Sequence, residues 1–216
     1  MHTPRRRSVQ IPTALGGLPW SKSSRWPPVE GTDGALWGTV FSGGLGGGNG
    51  YKSYVAIYRY ERGGRLDTVY RFGQDGFMGC YPEAGLILAS DGNFYGITAG
   101  GGRVFRLGLD GEYTVVHHFG VGQAGGVRSF PLVQGPDGAL YGGCQSGGEQ
   151  GVRTICRMTL DGGCADIHHF SGGGPRVGKW PVGSLVATAD GRMYGTIDGP
   201  LEADAGSVFV LGKATV

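Results

Sequence analysis

The sequence predicts an all-β fold, a four-bladed β-propeller of four-stranded antiparallel blades, and three observations carry that prediction. A block of Asp-Gly, two residues, then an aromatic residue and Gly occurs four times. An aromatic-Pro pair precedes each block. The fourth repeat ends one strand short, while a spare strand stands at the start of the chain.

The blocks read Asp33-Gly34…Trp37-Gly38, Asp91-Gly92…Tyr95-Gly96, Asp137-Gly138…Tyr141-Gly142 and Asp190-Gly191…Tyr194-Gly195. Successive Asp residues lie 58, 46 and 53 positions apart, close to the length of a propeller blade. The preceding pairs are Trp26-Pro27, Tyr81-Pro82, Phe130-Pro131 and Trp180-Pro181. From Pro to Asp the separations run 6, 9, 6 and 9, as if a two-blade unit had itself been duplicated. Two independent motifs in one order, four times over, define blades at about 28–72, 82–119, 131–170 and 181–216 plus 7–12. The whole chain, 1–216, is expected to form one domain.

The second repeat gives the strand pattern in order. Leu86–Ala89 leads into the turn Ser90-Asp91-Gly92-Asn93, and Phe94–Thr98 follows. A glycine loop, Gly100-Gly101-Gly102, then precedes Val104–Leu107, the turn Asp110-Gly111 and Tyr113–Phe119. β-branched and aromatic runs divided by Asp-Gly are hairpin signals, and four such strands in up-and-down order make one blade. The fourth repeat carries Ser184–Ala187, Met193–Thr196 and Ser207–Leu211. The segment Arg7–Pro12 is expected to pair with 207–211, close the ring at four blades and leave no open sheet edge.

The unit LILASDGNFYGITAGGGRVFRLGLDGEYTVVHHF, residues 86–119, resembles the Gloeo-Verruco tandem repeat. That family's repeats read roughly as Ser-Asp-Gly-Asn-(Phe/Leu)-Tyr-Gly-Thr-Thr, a Gly-Gly loop, a Val-Phe-(Arg/Lys)-Leu strand and a final aromatic-capped strand. The match is close over 86–119, good over 134–170 and 185–211, and loosest over 29–72. The resemblance implies propeller blades. Its members are usually long, secreted or surface-anchored arrays, whereas four repeats stand here. It brings no catalytic residues with it, since function belongs to sites grafted on a fold.

Composition narrows the function classes. The 216 residues include 47 Gly, yet 39% are hydrophobic, with 10 Tyr, 9 Phe and 4 Trp. The glycines cluster beside Asp, Asn and Ser as turn glycines do. The formal net charge is +2, and the one compact basic run is Arg5-Arg6-Arg7. A nucleic-acid partner, which calls for a broad basic face, is not expected. No run approaches the roughly 20 apolar residues of a membrane span. No apolar stretch follows the N-terminal arginines as a signal peptide would require, so a cytoplasmic location is expected.

Cys80, Cys144, Cys156 and Cys164 show no CxxC spacing. A tight Asp161-Gly162-Gly163 hairpin would set Cys156 opposite residue 167, out of register with Cys164, so free thiols are expected. His117-His118 and His168-His169 occupy equivalent outer strands, with Tyr70-Arg71 in the first repeat. Adjacent strand residues point to opposite faces, so neither His pair can hold one metal. No metal and no cofactor is expected. Phosphate-loop, zincin and nucleophile-elbow motifs are missing. Gly43–Gly48 imitates a nucleotide loop, but no helix follows.

Propeller geometry then locates a site. The Asp-Gly turns share one face; the glycine-rich segments 42–50, 99–102, 145–151 and 197–206 and the inter-blade segments 13–25, 73–80, 120–129 and 171–179 share the other. Long loops at one end of a rigid scaffold are where binding sites gather. The expected site residues at that channel mouth are Arg25, Trp26, Tyr81, Glu83, Arg128, Phe130, Lys179 and Trp180. They suit a sugar or an anionic small molecule, Arg176 adding to the cationic rim; Glu83, Arg128, Lys179 and Asp198 break the repeat and are the better candidates for specificity. The aromatics also suit plain blade-to-blade packing, which recurrence favours. Glu83 and Glu30 follow aromatic-Pro pairs and are expected either to approach each other over the channel or to stand there as solvated groups. The sequence therefore leans to a small-ligand or carbohydrate-binding propeller. The alternatives are a lyase-like or cyclase-like biosynthetic enzyme using Glu83 and Lys179, and a protein-interaction scaffold.

Overall fold

A computed structural model describes residues 26–40, 55–72, 82, 84–98, 102–119, 131–144, 154–170, 180–198 and 207–212. The expected strand at 7–12 and most of the long loops lie outside these. Fifteen strands form among the described residues, and no helix. The first sheet holds β1 (Val29–Glu30), β2 (Leu36–Val40), β3 (Ala56–Tyr60) and β4 (Leu66–Arg71). The second holds β5 (Ile87–Leu88), β6 (Phe94–Thr98), β7 (Arg103–Leu107) and β8 (Tyr113–His118). The third holds β9 (Val133–Gln134), β10 (Leu140–Cys144), β11 (Thr154–Met158) and β12 (Cys164–His169). The fourth has three strands, β13 (Trp180–Ala187), β14 (Met193–Asp198) and β15 (Ser207–Leu211). Every sheet is an antiparallel meander in chain order. No helix among the described residues is long and apolar enough to cross a membrane.

The Asp-Gly motif has a defined job. Gly31 and Ala35, Ala89 and Asn93, Gly135 and Ala139, and Thr188 and Arg192 close identical loops between the first two strands of each sheet. The Asp carboxylate accepts the backbone N–H two residues on, as Asp33 does from Ala35 at 3.1 Å and Asp91 from Asn93 at 3.1 Å. The following glycine sits at positive φ, 74° for Gly34 and 81° for Gly191, the left-handed corner of a three-residue hairpin loop. The aromatic-Gly step serves packing. A Cβ on Gly96 would lie 2.9 Å from Phe105 Cε1 and one on Gly195 2.6 Å from Phe209 Cε1. The bare glycine seats the aromatic of the neighbouring strand.

The second and third sheets bury both faces. Alternate residues of β6 show why: Phe94 points back to the first sheet and Tyr95 forward to the third, and both are fully buried. Trp37, Ile57 and Phe72 pack on Phe94, Phe105 and Leu107 across the first junction, with Trp37 and Phe94 rings 4.8 Å apart. Tyr95, Ile97 and Val104 meet Leu132, Leu140 and Met158 across the second. Tyr141 and Ile155 meet Leu185 and Met193 across the third. Polar contacts join them: Gln134 Nε2 donates to Ser90 Oγ at 2.9 Å, and Tyr95 Oη donates to the Leu160 carbonyl at 3.3 Å. No such cluster among the described residues joins the fourth sheet to the first.

One register expectation is corrected. A β-bulge interrupts the third and fourth strands of the first three sheets, between Ile155 and Cys156 in the third. The hairpin closes between Thr159 and Gly163 rather than Leu160 and Gly163, so Cys156 faces Asp166 rather than residue 167, while Met158 faces Cys164. Cys156 and Cys164 are free thiols; a hydrogen bond with Cys156, and burial, push the Cys164 thiol well above its usual range.

Candidate functional site

The two ends of the sheets differ in chemistry. At the Asp-Gly end the carboxylates are committed to the fold. Asp137 accepts from Arg157 Nε at 2.7 Å, Tyr141 Oη at 2.9 Å and the Ala139 N–H at 3.2 Å. Asp33 accepts from Arg59 Nε at 2.8 Å and Trp37 Nε1 at 3.2 Å. Burial alone would raise both carboxyls, but these donors outweigh it and hold them below the usual range. Tyr95 is pushed up by burial and by donating to Asp91 at 2.8 Å. Acids saturated in this way anchor turns and offer no free base.

Glu30 belongs to that end too. It neighbours the Gly31–Ala35 loop and pairs with Arg62 at 2.9 Å, both side chains well exposed. The expectation that it leans over the channel towards Glu83 is thereby corrected: a strand carries it to the opposite end, where it is a solvated ion pair. The His pairs stand on outer strands as expected. His117 Nδ1 donates to the Gly162 carbonyl at 3.1 Å and its ring meets Phe119 edge-on at 4.7 Å; His168 meets Phe170 likewise at 4.5 Å. Among the described residues no three His, Cys, Asp or Glu side chains gather as a metal set.

The long-loop end carries the aromatic-Pro pairs. Pro82 bridges to Thr98, the last residue of β6. Trp180 pairs with Asp198 and Pro181 with Ile197, the last residues of β14. In the second and fourth sheets the motif prolines thus stand beside the ends of second strands. Trp26 is half-buried, and its Cβ lies 3.0 Å from where a Cβ on Gly85 would be. It therefore wedges between the first and second sheets, as blade packing requires. Trp180 is described by its backbone alone. Arg25, Tyr81, Glu83, Arg128, Phe130 and Lys179, and with them Arg176 and Cys80, lie outside the described residues.

Two residues at this end escaped sequence reasoning. Thr98 is fully buried with no partner for its hydroxyl, and Arg103, directly across the ladder, is 8% exposed. A signal for Arg103 existed: the counterpart strands begin with Ala56, Thr154 and Ser207, so a cation there departs from the repeat. A buried polar pair beside a glycine loop is chemistry that can orient a polar ligand group.

A family model described as the Gloeobacter/Verrucomicrobia repeat matches residues 7–209. No curated protein matches. Among solved structures, the chain is similar to a catalytically inactive virginiamycin B lyase from Staphylococcus aureus with quinupristin. That match has 18% identity and a TM-score of 0.53, over 85% of this chain and 54% of that one. It is also similar to a Penicillium chrysogenum α-L-arabinanase complexed with arabinobiose, at 14% identity and a TM-score of 0.57, over 89% of this chain and 63% of that one. At such identities the likeness speaks for a β-propeller-like fold alone. The chain spans about half to two thirds of the length of these structures.

Proposed function

Since the chain belongs to the Gloeobacter/Verrucomicrobia repeat family, we propose that it is a binding propeller for a small molecule or carbohydrate. Its pocket lies at the channel mouth on the long-loop face. In this reading the strand at 7–12 takes the free edge of β15 and gives the fourth blade its fourth strand. Trp26, Tyr81, Phe130 and Trp180 offer ring faces, Arg25, Arg128 and Lys179 a cationic rim, and Glu83 an acceptor. Apolar walls with a few placed polar groups are what such pockets need. The observation that carries the reading is the pairing of Pro82 with Thr98 and of Trp180 with Asp198, which aligns the motif with the loop end. The motif carboxylates Asp33, Asp91 and Asp137 are already taken up by the fold at the other end.

A glycan array with thermal-shift screening tests it. A ligand at about a hundred times its Kd adds about 2.7 kcal/mol, or about 5–10 °C in Tm for a chain of this size. Lys179→Ala and Glu83→Ala are each expected to remove most of that rise. A shift unchanged in both variants moves the site elsewhere, and turnover of the bound ligand converts the binder into an enzyme.

A further inference from the structure

Among the described residues the buried threonines and charged groups are Thr39, Thr98, Arg103 and Thr154. Three of them share one junction. Side chains alternate between the two faces of a strand, and that period assigns each one. Phe94, Phe105 and Leu107 pack towards the first sheet, so Thr98 on β6 and Arg103 on β7 stand on that face. Trp37 and Ile57 pack towards the second sheet, and Thr39, opposite Ile57, stands with them. All three lie beyond the Trp37–Phe94 contact, towards the long-loop ends of their strands. Trp26, set against Gly85, bounds the same junction on its inner side.

Packing does not ask for a cation there. The pairs in the place of Thr98–Arg103 are Val40–Ala56, Cys144–Thr154 and Ile197–Ser207. Small and apolar residues therefore end the ladder in the other sheets, and the second sheet alone uses a guanidinium. Its neighbour is equally out of place, because the buried Thr98 hydroxyl has no hydrogen-bond partner, a state that native folds rarely leave without a use. The two groups are complementary to one kind of ligand. Directly opposed residues on one face of an antiparallel pair have Cβ atoms about 4.5–5.5 Å apart. A guanidinium presents five N–H donors in a planar fork that matches carboxylate and phosphate oxygens, and the hydroxyl adds an O–H donor beside it. Access follows the ladder row, which runs Pro82, Thr98, Arg103, His118 from the inner edge outwards. His118 is exposed, so Arg103 stands between the enclosed hydroxyl and water.

We infer that the long-loop end of the junction between the first and second sheets is an oxyanion subsite. Thr98 and Arg103 hold the carboxylate or phosphate group of a small ligand, and Thr39 faces them from the first sheet. The subsite does not rest on the rings at the channel mouth, so its loss leaves that pocket untouched.

Thermal-shift titrations of the full chain with sodium phosphate and with sodium acetate, each against sodium chloride at equal ionic strength, test it. At least one of the two oxyanions is expected to raise Tm saturably where chloride does not. A response to phosphate marks a tetrahedral group and a response to acetate a planar one. Thr98→Val keeps the shape, removes the hydroxyl and is expected to weaken the apparent Kd about tenfold or more. Thr98→Ser is expected to bind as the wild type does. Arg103→Lys keeps the charge without the fork and is expected to weaken binding about tenfold as well. Arg62→Gln removes a cation from the exposed opposite end and leaves the response unchanged. A wild type that responds to neither oxyanion, a Thr98→Val chain that binds as tightly as the wild type, or an equal loss in Arg62→Gln overturns the inference.

Discussion

Gly162→Ala is expected to cost about 3–5 kcal/mol, the largest loss from a single added methyl among the described glycines. Gly162 has φ +97°, where a side chain is strained, at about 1–3 kcal/mol. Its added Cβ would also land on the Val116 carbonyl oxygen, 2.8 Å from the carbonyl carbon. That oxygen belongs to β8 of the second sheet and cannot yield without shifting backbone; overpacking of this kind costs about 1–3 kcal/mol more. The Gly162 carbonyl also receives His117 Nδ1, so the junction loses a hydrogen bond as it opens. Urea denaturation should register the loss as a lower midpoint. Gly138→Ala is the control: it has φ +76° but nothing within 4 Å of the new Cβ. It should cost only the backbone share, about 1–2 kcal/mol. Equal losses in the two variants would mean that the turn of the third sheet does not abut the second.

Asp137→Asn comes next, at about 3 kcal/mol. The Asp137 side chain is 6% exposed, and its three donors include the Arg157 guanidinium. Removing one partner of a buried pair strands the other, which is where such losses of about 3–5 kcal/mol arise; the value here is lower because Arg157 reaches water. Asp190→Asn breaks the equivalent pair at the surface, where both side chains are about half exposed, and should cost under about 1 kcal/mol. The pH dependence has a definite sign. The Asp137 carboxyl is held below its usual range in the folded chain. Its contribution is therefore full above the unfolded value of about 3.9 and is lost as pH falls through the lower folded value. Asp33, Asp91 and Asp161 are lowered as well, so the wild type should weaken steeply below about pH 4. Asp137→Asn should show a shallower decline over that window.

The repeat was legible because its residues are the ones geometry constrains. An Asp that caps its own loop, a glycine that turns left-handed and a glycine that seats an aromatic have few substitutes. The motif therefore gave the hairpins and strands such as Phe94–Thr98 directly. The bulges left no trace, because an extra residue in a strand needs no particular side chain. Cys156 was set one position off because the turn closes on Thr159 and Gly163, one residue longer than the tight hairpin expected. Glu30 misled for another reason. Sequence proximity to Trp26-Pro27 suggested the channel mouth, but β1 runs away from that mouth and delivers Glu30 to Arg62. The exposure of Val208 and Val210 was invisible too, since they look like any core strand by sequence. For the candidate site, the loop end could be read from the aromatic-Pro pairs, whereas the buried Thr98 and Arg103 needed the ladder between β6 and β7.

Amide hydrogen exchange across β15 tests most directly whether the fourth sheet is a complete blade. With the strand at 7–12 on its edge, all the amides of Ser207–Leu211, together with those of 7–12, should exchange slowly in the full chain. If β15 is instead an open edge, the amides turned away from β14 will exchange at unprotected rates, and the completed ring is wrong.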